Sequence, residues 1–225
     1  MHQIYPDLWV SEPEHPAPDE LPDLMMHAYL LVRDEGNILF CRSEHAADHQ
    51  RMGELGGVRR HYLTHWHEAA PGLARIKARF ASKLLCHERA VAQVAPFAAV
   101  DTTFRTRETH EGGIEVIPAP GHTPGSSVYR VRSSHGPTYL FAGDTLFPSR
   151  GRFEAVIFED GDKEDLLESL AMLRGLEPDV ALFGASVADV AFKAMSPAEW
   201  HAALDQAADA LCGTVVGQGQ RAGTA

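Results

Sequence analysis

Two histidines one residue apart, His65 and His67, a third histidine, His122, and an aspartate, Asp144, have the types and settings that could bind a metal. They lie in three short stretches: Thr64-His65-Trp66-His67, then Ala119-Pro120-Gly121-His122-Thr123-Pro124-Gly125-Ser126, then Phe141-Ala142-Gly143-Asp144-Thr145-Leu146-Phe147. Each stretch follows an apolar run directly. Glycine and proline fix such loops, so imidazoles and carboxylates can be held at set angles. Three imidazoles around one cation, with a position left for water, is a catalytic arrangement of zinc. One histidine alone would read as an ordinary surface residue. The three stretches together point to metal chemistry.

The elements that must position these residues are legible in the same sequence. Ile4 to Val10, His27 to Val32 and Asn37 to Arg42 predict strands, the last two joined by a hairpin at Asp34-Glu35-Gly36. Residues 44 to 55 predict a short helix closed by Gly56-Gly57. Arg60 to Thr64 predicts a strand with His65 at its carboxyl end, where ligands bind in open α/β sheets. A helix over Ala74 to Phe80, a strand over Lys83 to Cys86 and a helix near Glu88 to Val94 follow. The second half opens with strands at Thr103 to Arg105, Ile114 to Ile117, Ser127 to Arg132 and Thr138 to Ala142. Then come an amphipathic helix over 163 to 174 with Asp162 as its N-cap, and a strand over Asp179 to Phe183. The capping box Ser196-Pro197-Ala198-Glu199 opens a last helix. Two such halves predict two sheets packed face to face with helices outside. The loops at 12 to 22 and 145 to 160 are expected to form the pocket rim.

The chain has 225 residues, 44% apolar and 23% charged, ordinary for a globular protein able to bury a sizeable core. Its net charge of −11 comes without a Lys/Arg-rich cluster, which argues against nucleic acid or an anionic membrane as partner. A small-molecule substrate is expected, and the oligomeric state stays open. Cys41, Cys86 and Cys212 are far apart and form no CxxC pair, so they read as buried free thiols in a reducing cytosol. The opening MHQIYPDLWVSEPEHP lacks a basic segment followed by an apolar one, and no apolar run approaches the ~20 residues of a membrane span. The cytoplasm is the expected compartment.

On "APGHTPGSS", "FAGDTLF" and "THWH" the sequence resembles the metallo-β-lactamase superfamily, from about Ile4 to about Leu211. That family carries His-x-His-x-Asp-His after a strand, then Gly-His-Thr-Pro-Gly, then Gly-Asp, and last a Gly-His turn. The resemblance implies an α/β fold, an αββα four-layer sandwich of two mixed β-sheets flanked by helices. It would form a single domain over 1–212, with 213–225 as a disordered tail. His65, His67 and His122 match the three histidines of the first metal position, and Asp144 the aspartate that bridges both metals. The ligands peculiar to the second position would fall on Ala69, Ala70 and Ala185. The expectation is therefore one divalent metal ion per chain, zinc in preference to iron.

With one metal, Asp144 would be a fourth ligand or a general base on the bound water. Glu68 could stand in for the carboxylate that Ala69 lacks, but the family varies there and the solvated surface is the expected reading. His45 and His49, with Asp48, read as a solvated helix start, although either histidine could add a ligand. His27 reads as packed or hydrogen-bonded, and His61, His87, His110, His135 and His201 as surface. Trp66 would wall the pocket or pack beside it. The implied activity is metal-dependent hydrolysis of a small-molecule ester, thioester or lactone. Two alternatives stand: a non-haem iron oxygenase of the persulfide-dioxygenase type using His65, His122 and Asp144, and a catalytically inactive binding domain of the same fold, suggested by the alanines.

Overall fold

Apolar runs of this length put side chains alternately on two faces of a strand, and here both faces are buried in different cores. The computed structural model describes residues 1–187 and 190–213. Its first half runs His2–Tyr5 (β1), Leu8–Val10 (β2), Leu24–Met26 (β3), Tyr29–Leu31 (β4), Ile38–Phe40 (β5), helix Ala46–Glu54 (α1), Arg60–Tyr62 (β6), helix Pro71–Phe80 (α2), Lys83–His87 (β7) and short helix Val91–Val94 (α3). The second half runs Thr102–Phe104 (β8), Glu108–His110 (β9), Ile114–Pro118 (β10), Ser127–Arg132 (β11), Thr138–Gly143 (β12), Phe147–Ser149 (β13), Arg152–Glu154 (β14) and helix Lys163–Leu173 (α4). It closes with Val180–Phe183 (β15), Ala185–Val187 (β16), Phe192–Ala194 (β17) and helix Pro197–Gly213 (α5). The tail expected at 213–225 lies outside the described residues except for Gly213.

One sheet has seven strands in the order β1-β2-β4-β5-β6-β7-β8, and the other six in the order β17-β15-β12-β11-β10-β9. Both are mixed: β5, β6, β7 and β8 pair in parallel, as do β12 and β15, while the remaining neighbours pair antiparallel. Tyr29, Phe40, Tyr62, Tyr129, Tyr139 and Phe141 fill the space between the sheets. The rings of Phe40 and Phe141 stack there with centroids 3.7 Å apart and 15° between planes. On the outer face of the seven-stranded sheet, Leu30 and Leu39 meet Met52 of α1 and Ile76 of α2. On the outer face of the other, Leu140, Ala142, Ala181 and Phe183 meet Leu166 and Leu170 of α4 and Trp200 and Leu204 of α5. The four layers of the expected sandwich follow from this packing.

The termini of the helices obey local rules. Asp162 caps α4 by accepting from the amides of Glu164 at 2.8 Å and Asp165 at 3.0 Å. Ser196 and Glu199 exchange the two bonds of a capping box before α5.

The expectation of two sheets needs one correction. A third sheet of four strands, in the order β14-β13-β16-β3, lies at one edge. Each of its strands has three residues, too few for a period-2 pattern to show. Glu14, within the loop expected over 12 to 22, is buried and bridged to Met26 beside this sheet.

Candidate metal centre

The histidines come together because three strand ends do. His65 follows the end of β6 in extended backbone and precedes a 3-10 turn over Trp66–Glu68 that brings His67 round beside it. His122 sits in the loop between β10 and β11, where Gly121 has φ +124° and an added Cβ would lie 2.3 Å from the backbone of Leu166 in α4. Asp144 follows β12 directly. Gly143, at φ +55°, lets this strand end close on β6: an added Cβ would lie 2.4 Å from Thr64 Oγ1. Only glycine meets both requirements at these two positions.

One nitrogen from each of His65, His67 and His122 lies within 4.8 Å of the others, the one such group of three or more His, Cys, Asp or Glu side chains among the described residues. His67 Nδ1 and His122 Nε2 are 3.2 Å apart. A tetrahedral site with zinc–nitrogen bonds of ~2.1 Å separates its ligand atoms by about 3.4 Å. Asp144 Oδ2 lies 3.4 Å from His65 Nε2 and 3.9 Å from His122 Nε2. The three histidines form this group, and Asp144 stands outside it, against two of the three rings.

Hydrogen bonds on the far side of two rings decide which nitrogen faces inward. His122 Nδ1 is 2.9 Å from the carbonyl oxygen of Val156, which can only accept, so Nδ1 carries the hydrogen and Nε2 keeps its lone pair. His65 Nδ1 is 3.0 Å from Thr64 Oγ1, and that hydroxyl donates its own hydrogen to Glu68 Oε1. His65 Nδ1 is therefore the donor and Nε2 faces the cluster. Buried His65 Nε2 and Asp144 Oδ1 have no hydrogen-bond partner. Orphaned buried polar atoms are costly, and both point to a cationic occupant.

The electrostatics agree. Burial is the main cause that pushes the His122 imidazole down to about 2, and the neighbouring His65 and His67 rings further disfavour a charge on it. Burial and His65 push His67 down to about 4. Both are neutral imidazoles with lone pairs available. Burial alone would lower His65, but the Asp144 and Glu68 carboxylates outweigh it and hold its pKa above the ordinary value. Burial raises the Asp144 carboxyl, against the pull of His65.

Glu68 corrects the sequence reading. It is 0% exposed rather than solvated. The 3-10 turn carries it back beneath Thr64, whose amide donates to Oε2 at 3.0 Å, and its Oε1 stands 3.5 Å from His65 Nδ1. Carboxylate, histidine and metal position form one line, the arrangement that orients metal-binding imidazoles. A carboxylate one residue past His-x-His was the available signal; its burial was not readable. His49 and Asp48 are also buried, not solvated: His49 Nε2 donates to Ser43 O at 2.7 Å and Asp48 accepts from Ser43 Oγ at 2.8 Å. His45 lies 3.3 Å from Pro13 O, and neither histidine joins the cluster. His61 and His87, expected on the surface, are buried and bonded to the carbonyls of Cys41 and Arg105. His27 is hydrogen-bonded to Ser186, as expected. Cys41 and Cys86 are buried free thiols, whereas Cys212 is exposed.

The segment after β14 covers the histidines. The Phe158 ring lies 4.5 Å from that of His67 and 5.1 Å from that of His122. Trp66 packs 4.0 Å from His67 and donates to Asp160 Oδ2 at 2.7 Å. Two polar clefts of about 560 and 640 Å³ lie elsewhere, around Gly36 and Asn37 at the amino ends of the parallel strands. The histidines occupy the carboxyl ends, where sheets of this kind bind ligands. No helix among the described residues is long and apolar enough to cross a membrane.

The sequence model of the Metallo-beta-lactamase superfamily matches residues 43–185. No curated protein matches the chain. Among solved structures, a metallo-beta-lactamase from Pontibacter korlensis is 16% identical, with a TM-score of 0.73 over 94% of this chain and 98% of that one. A metallo-beta-lactamase family protein from Thermus thermophilus is 20% identical, with a TM-score of 0.64 over 92% and 79%. ETHE1 from Myxococcus xanthus is 19% identical, with a TM-score of 0.62 over 82% and 80%. At these identities the likeness is one of fold.

Proposed function

Because the chain belongs to the metallo-beta-lactamase superfamily, we propose that it is a metal-dependent hydrolase of a small-molecule ester, thioester or lactone, working with one metal ion. The observation that carries this reading is the convergence of ring nitrogens of His65, His67 and His122, beside the unpartnered Asp144 Oδ1. His65, His67 and His122 would hold the ion, with Asp144 as fourth ligand or base. Zinc suits the all-nitrogen group. When bound, such an ion polarises a carbonyl oxygen and brings the pKa of its water to ~7.

The rest is the work of the chain. Thr64 and Glu68 hold His65, and the Val156 carbonyl holds His122, so both rings are set before substrate arrives. Asp144 receives the proton of the attacking water and returns it to the leaving oxygen or sulfur. Phe158 and Trp66 keep bulk water from one side of the rings. Ala69, Ala70 and Ala185 offer no donor atom for a second ion, which supports the mononuclear reading.

An iron oxygenase reading would use His65, His122 and Asp144 alone. His67 Nδ1, 3.2 Å from His122 Nε2, puts a third imidazole into the space such a site keeps open. Elemental analysis of the purified protein, with His65→Ala and His122→Ala beside it, tests the proposal. One zinc per chain, absent from both variants, together with hydrolysis from an ester, thioester and lactone panel, is the expected result. Stoichiometric iron with oxygen uptake on a persulfide would replace it with the oxygenase. Absence of bound metal in the wild type after zinc titration would leave a binding domain.

A further inference from the structure

The third sheet and the two rim loops enclose something the metal centre does not need for itself. A cavity of about 350 Å³ is walled by Leu21, Leu24, Phe147, Val156, Phe158 and Val187. Every strand of the four-stranded sheet contributes, with Ser149 and Glu154 adding to these walls. Soluble domains seldom leave large apolar side chains in the open together. Five large hydrophobics are exposed among the described residues, and three of them, Leu21 at 55%, Val156 at 36% and Phe158 at 49%, line this one cavity.

The cavity adjoins the histidines through two residues. Val156 lines it while its carbonyl accepts from His122 Nδ1 at 2.9 Å. Phe158 lines it while its ring touches both His67 and His122. A ligand seated here therefore ends beside the candidate metal position. Arg150, the one cation of the lining, is paired with Asp23 at 3.1 Å, so nothing here selects an anionic arm, while Glu20 and Glu154 add carboxylates to the polar part of the wall.

We propose that this cavity binds the apolar arm of the substrate, and that the substrate is an acyl compound with an unbranched aliphatic chain whose scissile carbonyl lies at the histidines. The proposal rests on the hydrolase reading for the position of the carbonyl, and on the cavity alone for the chain. Small-molecule pockets span ~300–1,000 Å³, and this volume, at the lower end, suits one narrow chain rather than a polycyclic body. Burying each added methylene strengthens binding by ~0.8 kcal/mol, which is about four-fold in kcat/KM.

Two measurements keep the cavity and the chemistry apart. The first titrates 1-octanol, neutral and without a scissile bond, into the wild type and Leu21→Glu, read by calorimetry. Saturable binding by the wild type, weakened about ten-fold or more in Leu21→Glu, is expected. No binding, or equal binding by both, overturns the proposal. The second compares kcat/KM for acetyl, butyryl, hexanoyl and octanoyl esters of one alcohol. A rise of about four-fold per methylene, flattened in Leu21→Glu, is expected, and a wild-type series that does not rise overturns the proposal. If no ester turns over in the metal-loaded protein, the hydrolase reading falls, and the octanol titration still decides the cavity.

Discussion

Glu68 Oε1 stands 3.5 Å from His65 Nδ1, with both side chains 1% exposed and Thr64 bonded to each. An ion held by His65 Nε2 would feel this carboxylate through the ring. Partners of this kind typically contribute 10–100-fold to metal affinity. Glu68→Gln keeps an acceptor for the Thr64 amide but loses the charge. Its zinc affinity, read by chelator competition, is expected to fall ~10–100-fold while the melting temperature changes little. Glu68→Ala should also lose stability, by ~1–3 kcal/mol, because the Thr64 amide is left buried and unpaired. An unchanged affinity in Glu68→Gln would show that the carboxylate only holds the turn.

Asp144 has one oxygen near two imidazoles and the other buried without a partner. Asp144→Asn keeps the size and removes the base. Hydrolysis should fall ~10²–10⁴-fold with zinc still bound by the three histidines. If zinc content falls to zero instead, Asp144 is an essential ligand rather than the base.

Gly143→Ala places a methyl 2.4 Å from Thr64 Oγ1 at a backbone φ of +55°. Strain of this kind costs ~1–3 kcal/mol, and relief requires the ends of β12 and β6 to part. Both the melting temperature and zinc affinity should drop together. A variant as stable as the wild type that binds zinc equally well would mean that the contact is soft.

His61 is buried with Nε2 2.6 Å from the Cys41 carbonyl, and burial is the main reason its pKa falls to about 4. The unfolded imidazole titrates near ~6.5, so acid protonates the unfolded chain first. The stabilisation is complete above about pH 6.5, declines as pH falls, and is gone below the folded pKa of about 4. The span corresponds to a loss on the order of 3 kcal/mol. Urea unfolding of the wild type and His61→Asn across this range checks it: the stability difference between them should shrink as pH falls. A difference independent of pH would assign the acid sensitivity to other groups.

Phe141→Ala removes one ring of the 3.7 Å stack that joins the two large sheets. A loss of ~3–5 kcal/mol in denaturant unfolding is expected, since neither sheet can collapse into the gap. A cost below that of a surface substitution would show that the stack is not a structural joint.

Much of this protein is legible in its sequence. Leu39 between Ile38 and Phe40, or Leu140 between Tyr139 and Phe141, announces a strand buried on both faces, because side-chain direction alternates strictly. Asp162 and Ser196 announce helix starts, because a capping bond spans only two or three residues. His65, His67, His122 and Asp144 could be named because each lies in a short loop that follows an apolar strand. Other features have no local cause. Glu68 and His61 read as surface residues by type, and only partners from elsewhere in the chain make their burial tolerable: the Cys41 carbonyl for His61, and for Glu68 a turn that folds it back onto Thr64. The apolar cavity brings together Leu21, Val156 and Phe158 across more than half the chain, from irregular segments beside three-residue strands too short to carry a pattern. Sequence alone determined which groups are candidates for a metal, since spacing and glycine act locally; tertiary structure decided what surrounds them, since burial is a property of neighbours the chain supplies from a distance.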